Sequence, residues 1–375
     1  MIRYSLGEQD FGDLREKGSL YIDKTENIIR VLDAGSAYFL SRPRRFGKSL
    51  TVSTMAALYE GRAELFEGTY AETRWDFARR ERPVVHLAFN TVPYKKLGVF
   101  EGLRYELLRK ARSLGITLDQ SLGIQQLLQQ LVEGAAANHP AGKVVLLIDE
   151  YDKPIVDFLD EPDLAERNRD ALRECYASLK SLGGVTELLF VTGVSAFAKT
   201  SIFSDLNHLR DLTLDPLAHT LCGLTEGEVL TYLSEPIEAA GIPMDTVREW
   251  YNGYAFGANA ERVYNPWSIL SYCAYGQLEN FWLKAGAPLW LIKMIPKIEG
   301  SEINEVELLS SELMRLDLRL PSLYAVLFQA GCLTITDTAT PPLRYTLGFP
   351  NREVELSFEA LQADYKPATM TAAGV

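Results

Sequence analysis

Five short, largely apolar runs constrain this 375-residue chain more than any other feature. They are Ala37–Leu40, Pro83–Ala88, Lys143–Ile148, Glu187–Val194 and Asp211–Leu214. Helical patterns lie between them near Lys48–Glu60, Gly98–Ser113, Ile124–Ala137 and Asp163–Leu182. A strand apolar at every position is buried on both faces, and strands separated by helices pair in parallel. The expectation is a three-layer α/β sandwich around a mostly parallel five-stranded sheet, ending near residue 218. The length exceeds what one core serves, so further units should follow. From Leu224 to Ala239 the pattern is helical, and Thr225 three residues before Glu228 reads as a capping box. Residues 219–300 are therefore expected to form a helical lid. In 301–375, helical patterns at Glu305–Arg319 and Leu323–Gly331 precede strand-like runs at Cys332–Thr336 and Leu343–Leu347, joined by the turn-prone TATPP. That order suggests a winged-helix-like module.

Charge and cysteine usage exclude several classes. With 38 Lys+Arg against 50 Asp+Glu the net charge is −12, which disfavours a general binder of nucleic acid or anionic lipid. Cys175, Cys222, Cys273 and Cys332 show no C-x-x-C spacing and no His partners, so reduced, buried thiols are expected rather than zinc or disulfides. The first residues lack an apolar signal core, and no run approaches the roughly 20 apolar residues of a membrane span. The expectation is a cytoplasmic protein without a membrane contact.

The run Ala37–Leu40 leads straight into Ser41-Arg42-Pro43-Arg44-Arg45-Phe46-Gly47-Lys48-Ser49, followed by a helix. Gly47, Lys48 and Ser49 fill the last three places of the P-loop pattern G-x-x-x-x-G-K-[ST], while Arg42 stands where its first Gly belongs. A Gly lets the backbone approach an anion, the loop amides and helix N-terminus cradle phosphates, the Lys reaches β/γ oxygens and the Ser hydroxyl suits Mg²⁺. The whole segment, Arg42, Pro43, Arg44, Arg45, Phe46, Gly47, Lys48, Ser49 and Leu50, is the expected nucleotide-binding loop. The bland alternative is a plain strand–turn–helix connection. Three arginines crowded into the loop of an acidic chain favour the anion site, because clustered cations repel without one.

The strand-like Val144–Ile148 ends in Asp149-Glu150, 101 positions after Lys48. Asp149 is placed to hold Mg²⁺ and Glu150 to polarise a water as general base. The competing reading is a buried strand whose acids cap the next helix. Asp152, three residues beyond Asp149, reads as a solvated acid at a helix start, the competing reading being a carboxylate that supports the metal site from behind. Thr192 and Ser195, at the end of the following strand, are candidates for a polar contact to the γ-phosphate or the water, with a polar residue merely tolerated in a strand as the competing reading for each. Arg210 is a candidate arginine finger in cis or toward a neighbouring subunit. A surface arginine is the competing reading for Arg210. Asp23 fits a helix cap.

Taken in order, YIDKT (Tyr21–Thr25), FLSRPRRFGKSLTVSTM (Phe39–Met55), LLIDEYDKP (Leu146–Pro154), TGVSAFAKTSIFSDLNHL (Thr192–Leu209), WYNGYAFG (Trp250–Gly257) and VYNPWSIL (Val263–Leu270) resemble the bacterial AAA-ATPase-like proteins. The resemblance spans Tyr4 to Tyr365. It implies ATP binding at Lys48 and Ser49, with Mg²⁺ and hydrolysis at Asp149 and Glu150; Arg42 agrees with the R-P-R-R-F loop of that family. In such proteins a PD-(D/E)XK nuclease-like domain follows LGFPNREVELSF (Leu347–Phe358). The 17 residues from Glu359 to Val375 cannot hold one, so nuclease activity is not expected, whether the chain is trimmed or naturally short.

Three functions compete: an ATP-hydrolysing switch acting on an unknown protein partner, an interaction module that keeps nucleotide only to hold its fold, and a DNA-associated protein. The last is disfavoured by charge, since Arg315 and Arg319 are the cations of the module's helices among several acids. Oligomerisation is left open. The aromatic segments YNGYAFG (Tyr251–Gly257) and YNPWSIL (Tyr264–Leu270) form either a stacking site or a packed turn, and the distance from Tyr254 to the P-loop decides between them.

Overall fold

A computed structural model describes residues 3–195, 202–203, 208–284, 306–314 and 322–363. Two helices open the chain, α1 (Phe11–Glu16), absent from the sequence reading, and α2 (Thr25–Ala34), whose start the cap at Asp23 foreshadows. The core follows with β1 (Ala37–Ser41), α3 (Lys48–Tyr59), the short α4 (Ala71–Arg74) and α5 (Phe77–Arg80), β2 (Val84–Ala88), α6 (Tyr94–Ser113), α7 (Ile124–Ala137), β3 (Val144–Asp149), α8 (Lys153–Val156), α9 (Pro162–Tyr176), β4 (Thr186–Gly193) and β5 (Arg210–Asp211). All pairings in this sheet are parallel, in the order β2-β3-β4-β1-β5.

Two-sided burial explains the unbroken apolar runs. Val145 and Leu147 of β3 pack with α1–α3, whereas Val144, Leu146 and Ile148 pack with α6, α7 and α9. Neighbours along one strand thus enter opposite cores, so neither face selects polar residues. The sheet order has a consequence for chemistry: β4 separates β1 from β3, and the register pairs Ile148 with Val191 and Leu40 with Thr192. Asp149, Thr192 and Ser41 therefore reach one edge of the sheet together.

After the core come β6 (Leu224–Thr225), α10 (Glu226–Ala240), α11 (Met244–Tyr251), β7 (Val263–Tyr264), α12 (Pro266–Tyr275) and α13 (Phe281–Lys284). The expected capping box is present: the Thr225 hydroxyl accepts from the Glu228 amide at 3.2 Å and the Glu228 carboxylate accepts from the Thr225 amide at 2.8 Å. Glu228 also accepts Lys24 Nζ at 2.6 Å, which pins this helix to the segment before α2. Asp23 is structural as expected, accepting from the Thr25 and Tyr70 amides at 2.8 and 2.7 Å.

The C-terminal part corrects one expectation. Instead of one helix over Glu305–Arg319, Val306–Leu309 forms a strand, β8, followed by the short α14 (Ser310–Leu313). Alternate partners explain this: β8 pairs antiparallel with Arg344–Leu347 and completes a sheet β8-β10-β9 with β9 (Thr334–Ala339) and β10 (Arg344–Gly348). Arg315 and Arg319 lie outside the described residues. The other helix, α15 (Leu323–Ala330), reads LYAVLFQA, carries no cation and is largely buried. It offers nothing to a phosphate backbone.

The closing α16 (Arg352–Ala363) inserts Glu353 against α13, where its carboxylate accepts from the Trp282 amide at 2.8 Å. Burial raises this carboxyl from its ordinary 4.5 to about 7. A raised carboxyl favours the folded state in the protonated form. Its contribution is greatest below pH 4.5 and is lost as pH rises toward 7. The full span corresponds to roughly 3 kcal/mol. Glu353→Gln should therefore melt higher than the parent chain at pH 8 and lose most of the pH dependence between 5 and 7; thermal melts across that range check it.

Candidate active site

Gly47 is the turning point of the loop. It adopts φ 88°, a left-handed conformation that a side chain disfavours, and α3 begins at the next residue. The first turn of this 12-residue helix therefore opens at the sheet edge, with its unpaired amides and positive dipole end directed outward. Arg45 and Glu150 also have positive φ, at 69° and 54°. A non-glycine residue pays about 1–2 kcal/mol for that geometry, and such strain concentrates at functional sites.

The loop and the tip of β3 meet in one cleft of about 390 Å³, lined by Arg44, Arg45, Phe46, Gly47, Lys48, Ser49 and Leu50 from one side and Glu150 and Lys153 from another. That size suits a small-molecule ligand. Five cations (Lys24, Arg44, Arg45, Lys48, Lys153) and two carboxylates (Glu8, Glu150) line it, in a chain whose net charge is −12. The cleft is thus a local inversion of the protein's charge, suited to an anion.

Lys48 is buried, and its ammonium donates to the carbonyls of Arg42 and Pro43 at 2.8 and 2.9 Å. Burial lowers its pKa, while Glu150, Asp149 and Asp152 pull the other way. Those three carboxylates are hence close enough to act on the loop lysine. Asp149 is buried at the β3 tip, and Thr192 Oγ1 donates to its Oδ1 at 2.5 Å. Burial raises Glu150, opposed by Lys153, whose Nζ is 3.9 Å away.

Several expectations need correction. Only two of the three loop arginines, Arg44 and Arg45, line the cleft, each with a partner of its own; the Arg42 side chain turns away from it. Arg42 is 1% exposed, and its guanidinium donates to the carbonyls of Ser41, Thr213 and Ala218 at 2.8, 2.8 and 2.7 Å and lies 4.1 Å from the Phe256 ring centre. It contributes to the loop through its backbone, and burial lowers its pKa to about 10. Arg42→Lys should therefore cost about 3 kcal/mol or more of stability, because a lysine cannot serve three buried carbonyls from one plane; urea denaturation of the two chains checks it. Arg45 lies over Trp267 at 4.4 Å, and Arg44 reaches Asp157 at 3.5 Å. Phe46 is buried edge-on against Tyr254 at 4.8 Å and Pro43 is buried, so both brace the loop from within.

Asp152 is no solvated acid. It is 1% exposed and accepts from the Ser195 amide and hydroxyl, each at 2.6 Å, and from the Val194 amide at 3.1 Å. These donors at the end of β4 outweigh any capping of α8, to which its side chain makes no bond. Gly193 permits the close approach, since a Cβ there would stand 2.6 Å from Asp152 Oδ1. Ser195 and Thr192 are accordingly used to hold carboxylates at the sheet edge, and neither lines the cleft. Arg210 sits on the edge strand opposite Tyr38, before the sheet's active edge, and Asp215 takes its guanidinium at 2.7 Å. It does not line the cleft.

Tyr254 decides the aromatic-loop question. It touches the P-loop, but its ring is buried and its hydroxyl donates to the Gly331 carbonyl at 3.1 Å. The loop is a packed prop behind Phe46. Trp267 and Leu270 of α12, from the YNPWSIL segment weighed as a stacking site, also line the cleft, and residues that the sequence reading missed complete it: Gly7, Glu8 and Gln9, and Asn90 just past β2. Asn90 Nδ2 donates to Gln9 Oε1 at 2.8 Å, joining the N-terminal segment to the β2 end. The position of Asn90, just beyond an apolar strand, was the available signal.

The family model of the AAA-ATPase-like proteins, described as a predicted AAA-ATPase, matches residues 5–203. The chain belongs to this family. An uncharacterized protein in the vnfD 5′ region of Azotobacter chroococcum mcd 1 is 36% identical over 373 residues, covering 96% of this chain and 70% of that protein. Among solved structures, the Walker-type ATPase PABY2304 of Pyrococcus abyssi aligns over 90% of this chain and 96% of its own, with a TM-score of 0.47 and 12% identity. Membership of the AAA-ATPase-like family makes the protein a P-loop ATPase in the general sense. Among its described residues no helix is long and apolar enough to cross a membrane.

Oxygen donors near the site suit a hard cation: Ser49 lines the cleft, and the Asp149 carboxylate, buried at the tip of β3 and not itself part of the lining, is held by Thr192. Among the described residues no cluster of three or more His, Cys, Asp or Glu could hold a metal. The residues fit Mg²⁺ carried in with phosphates, which needs only one or two protein oxygens.

Proposed function

We propose that this protein binds ATP with Mg²⁺ in the 390 Å³ cleft and hydrolyses it, working as a nucleotide-driven switch on a protein partner. The observation that carries the reading is that the Gly47 turn, five cations and the Glu150 tip open onto one cavity. The amides of the loop and of the α3 start receive the phosphates. Lys48 Nζ exchanges the carbonyls of Arg42 and Pro43 for phosphate oxygens, a short movement for a side chain with four rotatable bonds. Ser49 and Asp149 would hold Mg²⁺, which when bound neutralises charge on the β and γ phosphates. Glu150 accepts a proton from the attacking water; its raised pKa makes it a better acceptor, and Lys153 keeps it ionised.

The switch follows from what builds the opposite wall. Gly7 belongs to the N-terminal segment and Trp267 and Leu270 to α12, in the expected lid of residues 219–300, so an occupant touches the core of 1–218 and the lid at once. Behind the loop, Phe46, Tyr254 and Gly331 connect it to residues 301–375, which we read as a winged-helix-like unit. A ligand contacting several units biases their arrangement only through different contacts in each.

ATP titration of the full chain with and without Mg²⁺, followed by phosphate release, tests the reading. Saturable binding with release supports it. Binding without release returns the protein to the non-hydrolysing module, and no binding at millimolar ATP overturns the whole assignment.

A further inference from the structure

Of the loop arginines, one heads toward the side of the cleft where Glu150 stands. Arg42 is committed to backbone carbonyls, and Arg45 lies over Trp267 on the lid side. Arg44 lines the cleft, and its Nη2 is 3.5 Å from Asp157 Oδ1. From Asp157 the charges continue inward: Lys153 Nζ is 3.9 Å from Asp157 and 3.9 Å from Glu150. Arg44 is separated from the proton acceptor by one carboxylate and one ammonium.

Its hold on Asp157 is loose. That carboxylate already receives Lys95 Nζ at 2.7 Å and the Tyr94 hydroxyl at 2.8 Å, so it stays satisfied if Arg44 departs. The Arg44 side chain is 37% exposed, which leaves it room to swing. Lys153 is shared between two carboxylates and is less free to move. Arg210 is held by Asp215 outside the cleft. A planar guanidinium also matches two phosphoryl oxygens at once, which an ammonium does not.

We propose that Arg44 is a catalytic residue acting in cis, trading Asp157 for the γ-phosphate of ATP. This deepens the ATPase reading and rests on it. In the step, the oxygen of water bonds to the γ-phosphorus, and the bond from that phosphorus to the β–γ bridging oxygen breaks. Its electron pair stays on ADP, and the water proton passes to Glu150. Negative charge grows on the bridging and γ-phosphoryl oxygens, and the Arg44 guanidinium donates there. Stabilisation of charge that develops only in the transition state raises turnover without tightening product binding.

The test compares the full chain with Arg44→Ala and Arg44→Lys in three measurements: affinity for ADP, affinity for ADP with aluminium fluoride as a mimic of the transferring phosphoryl group, and phosphate release from ATP. Arg44→Ala should keep its ADP affinity within about threefold, which also reports a folded cleft. It should lose about 100-fold or more in affinity for the fluoride complex and about 10³-fold in turnover. Arg44→Lys should fall between, keeping the charge without the fork. Equal treatment of ADP and its fluoride complex by Arg44→Ala and the parent chain overturns the proposal and leaves the ATPase reading standing. A parallel loss in all three measurements overturns it as well, marking a structural ion pair. A parent chain that binds neither ligand overturns both.

Discussion

Lys48→Ala is expected to raise the dissociation constant for ATP by about 100-fold or more. Its ammonium is buried at the throat of the loop, within reach of the carbonyls of Arg42 and Pro43 and under the influence of Asp149 and Glu150. A charge-assisted contact to phosphate is worth roughly twice a neutral hydrogen bond. Alanine removes the contact and also leaves two inward carbonyls with one donor fewer, so some loss of stability accompanies it. Binding measured well below the melting temperature of the variant separates the two effects. Equal ATP affinity in the variant and the parent chain would sink the assignment of the loop.

Glu150→Gln should behave in the opposite way. The amide fills the same volume and keeps the hydrogen-bonding reach, so ATP affinity should stay within about threefold. Turnover should fall by about 10²–10⁴, the range for losing a positioned general base. The pH profile supplies a sign. Burial holds the Glu150 carboxyl above its ordinary 4.5, so turnover should rise with pH through that raised value as the base becomes ionised. Glutamine has no proton to lose, and the rising limb should disappear with the rate. Single-turnover phosphate release across pH measures both. A variant that turns over at the parental rate would return Glu150 to a structural role.

Much of this site is legible in the amino-acid sequence. Unbroken apolar runs locate four strands of the main sheet, because two-sided burial leaves no polar alternation to misread; the edge strand β5 is the polar pair Arg210–Asp211 and meets the expected run Asp211–Leu214 only at Asp211. The step from Leu40 into Gly47-Lys48-Ser49 and the Asp149-Glu150 tip are visible because local chemistry fixes residue type at such turns. The directions of the side chains are not. Arg42 and Arg44 are two positions apart in one loop; the first turns inward because the carbonyls of Ser41, Thr213 and Ala218 converge on it, and the second turns out to Asp157. Asp152 reads as a helix acid because Ser195, its real partner, is 43 residues away in sequence. Val306–Leu309 reads as helix because the pairing with β10 that makes it a strand is remote in the chain.

The division between the two sources has a physical basis. Periodicity and turn chemistry are properties of neighbouring residues, and they determined the strands, the glycine turn, the capping box and the paired acids. The cleft itself was decided by tertiary structure alone. Its far wall comes from Gly7, Trp267 and Leu270, and its cations are sorted by partners distant in sequence. Such acceptors exist only once the sheet has been assembled with β4 between β1 and β3.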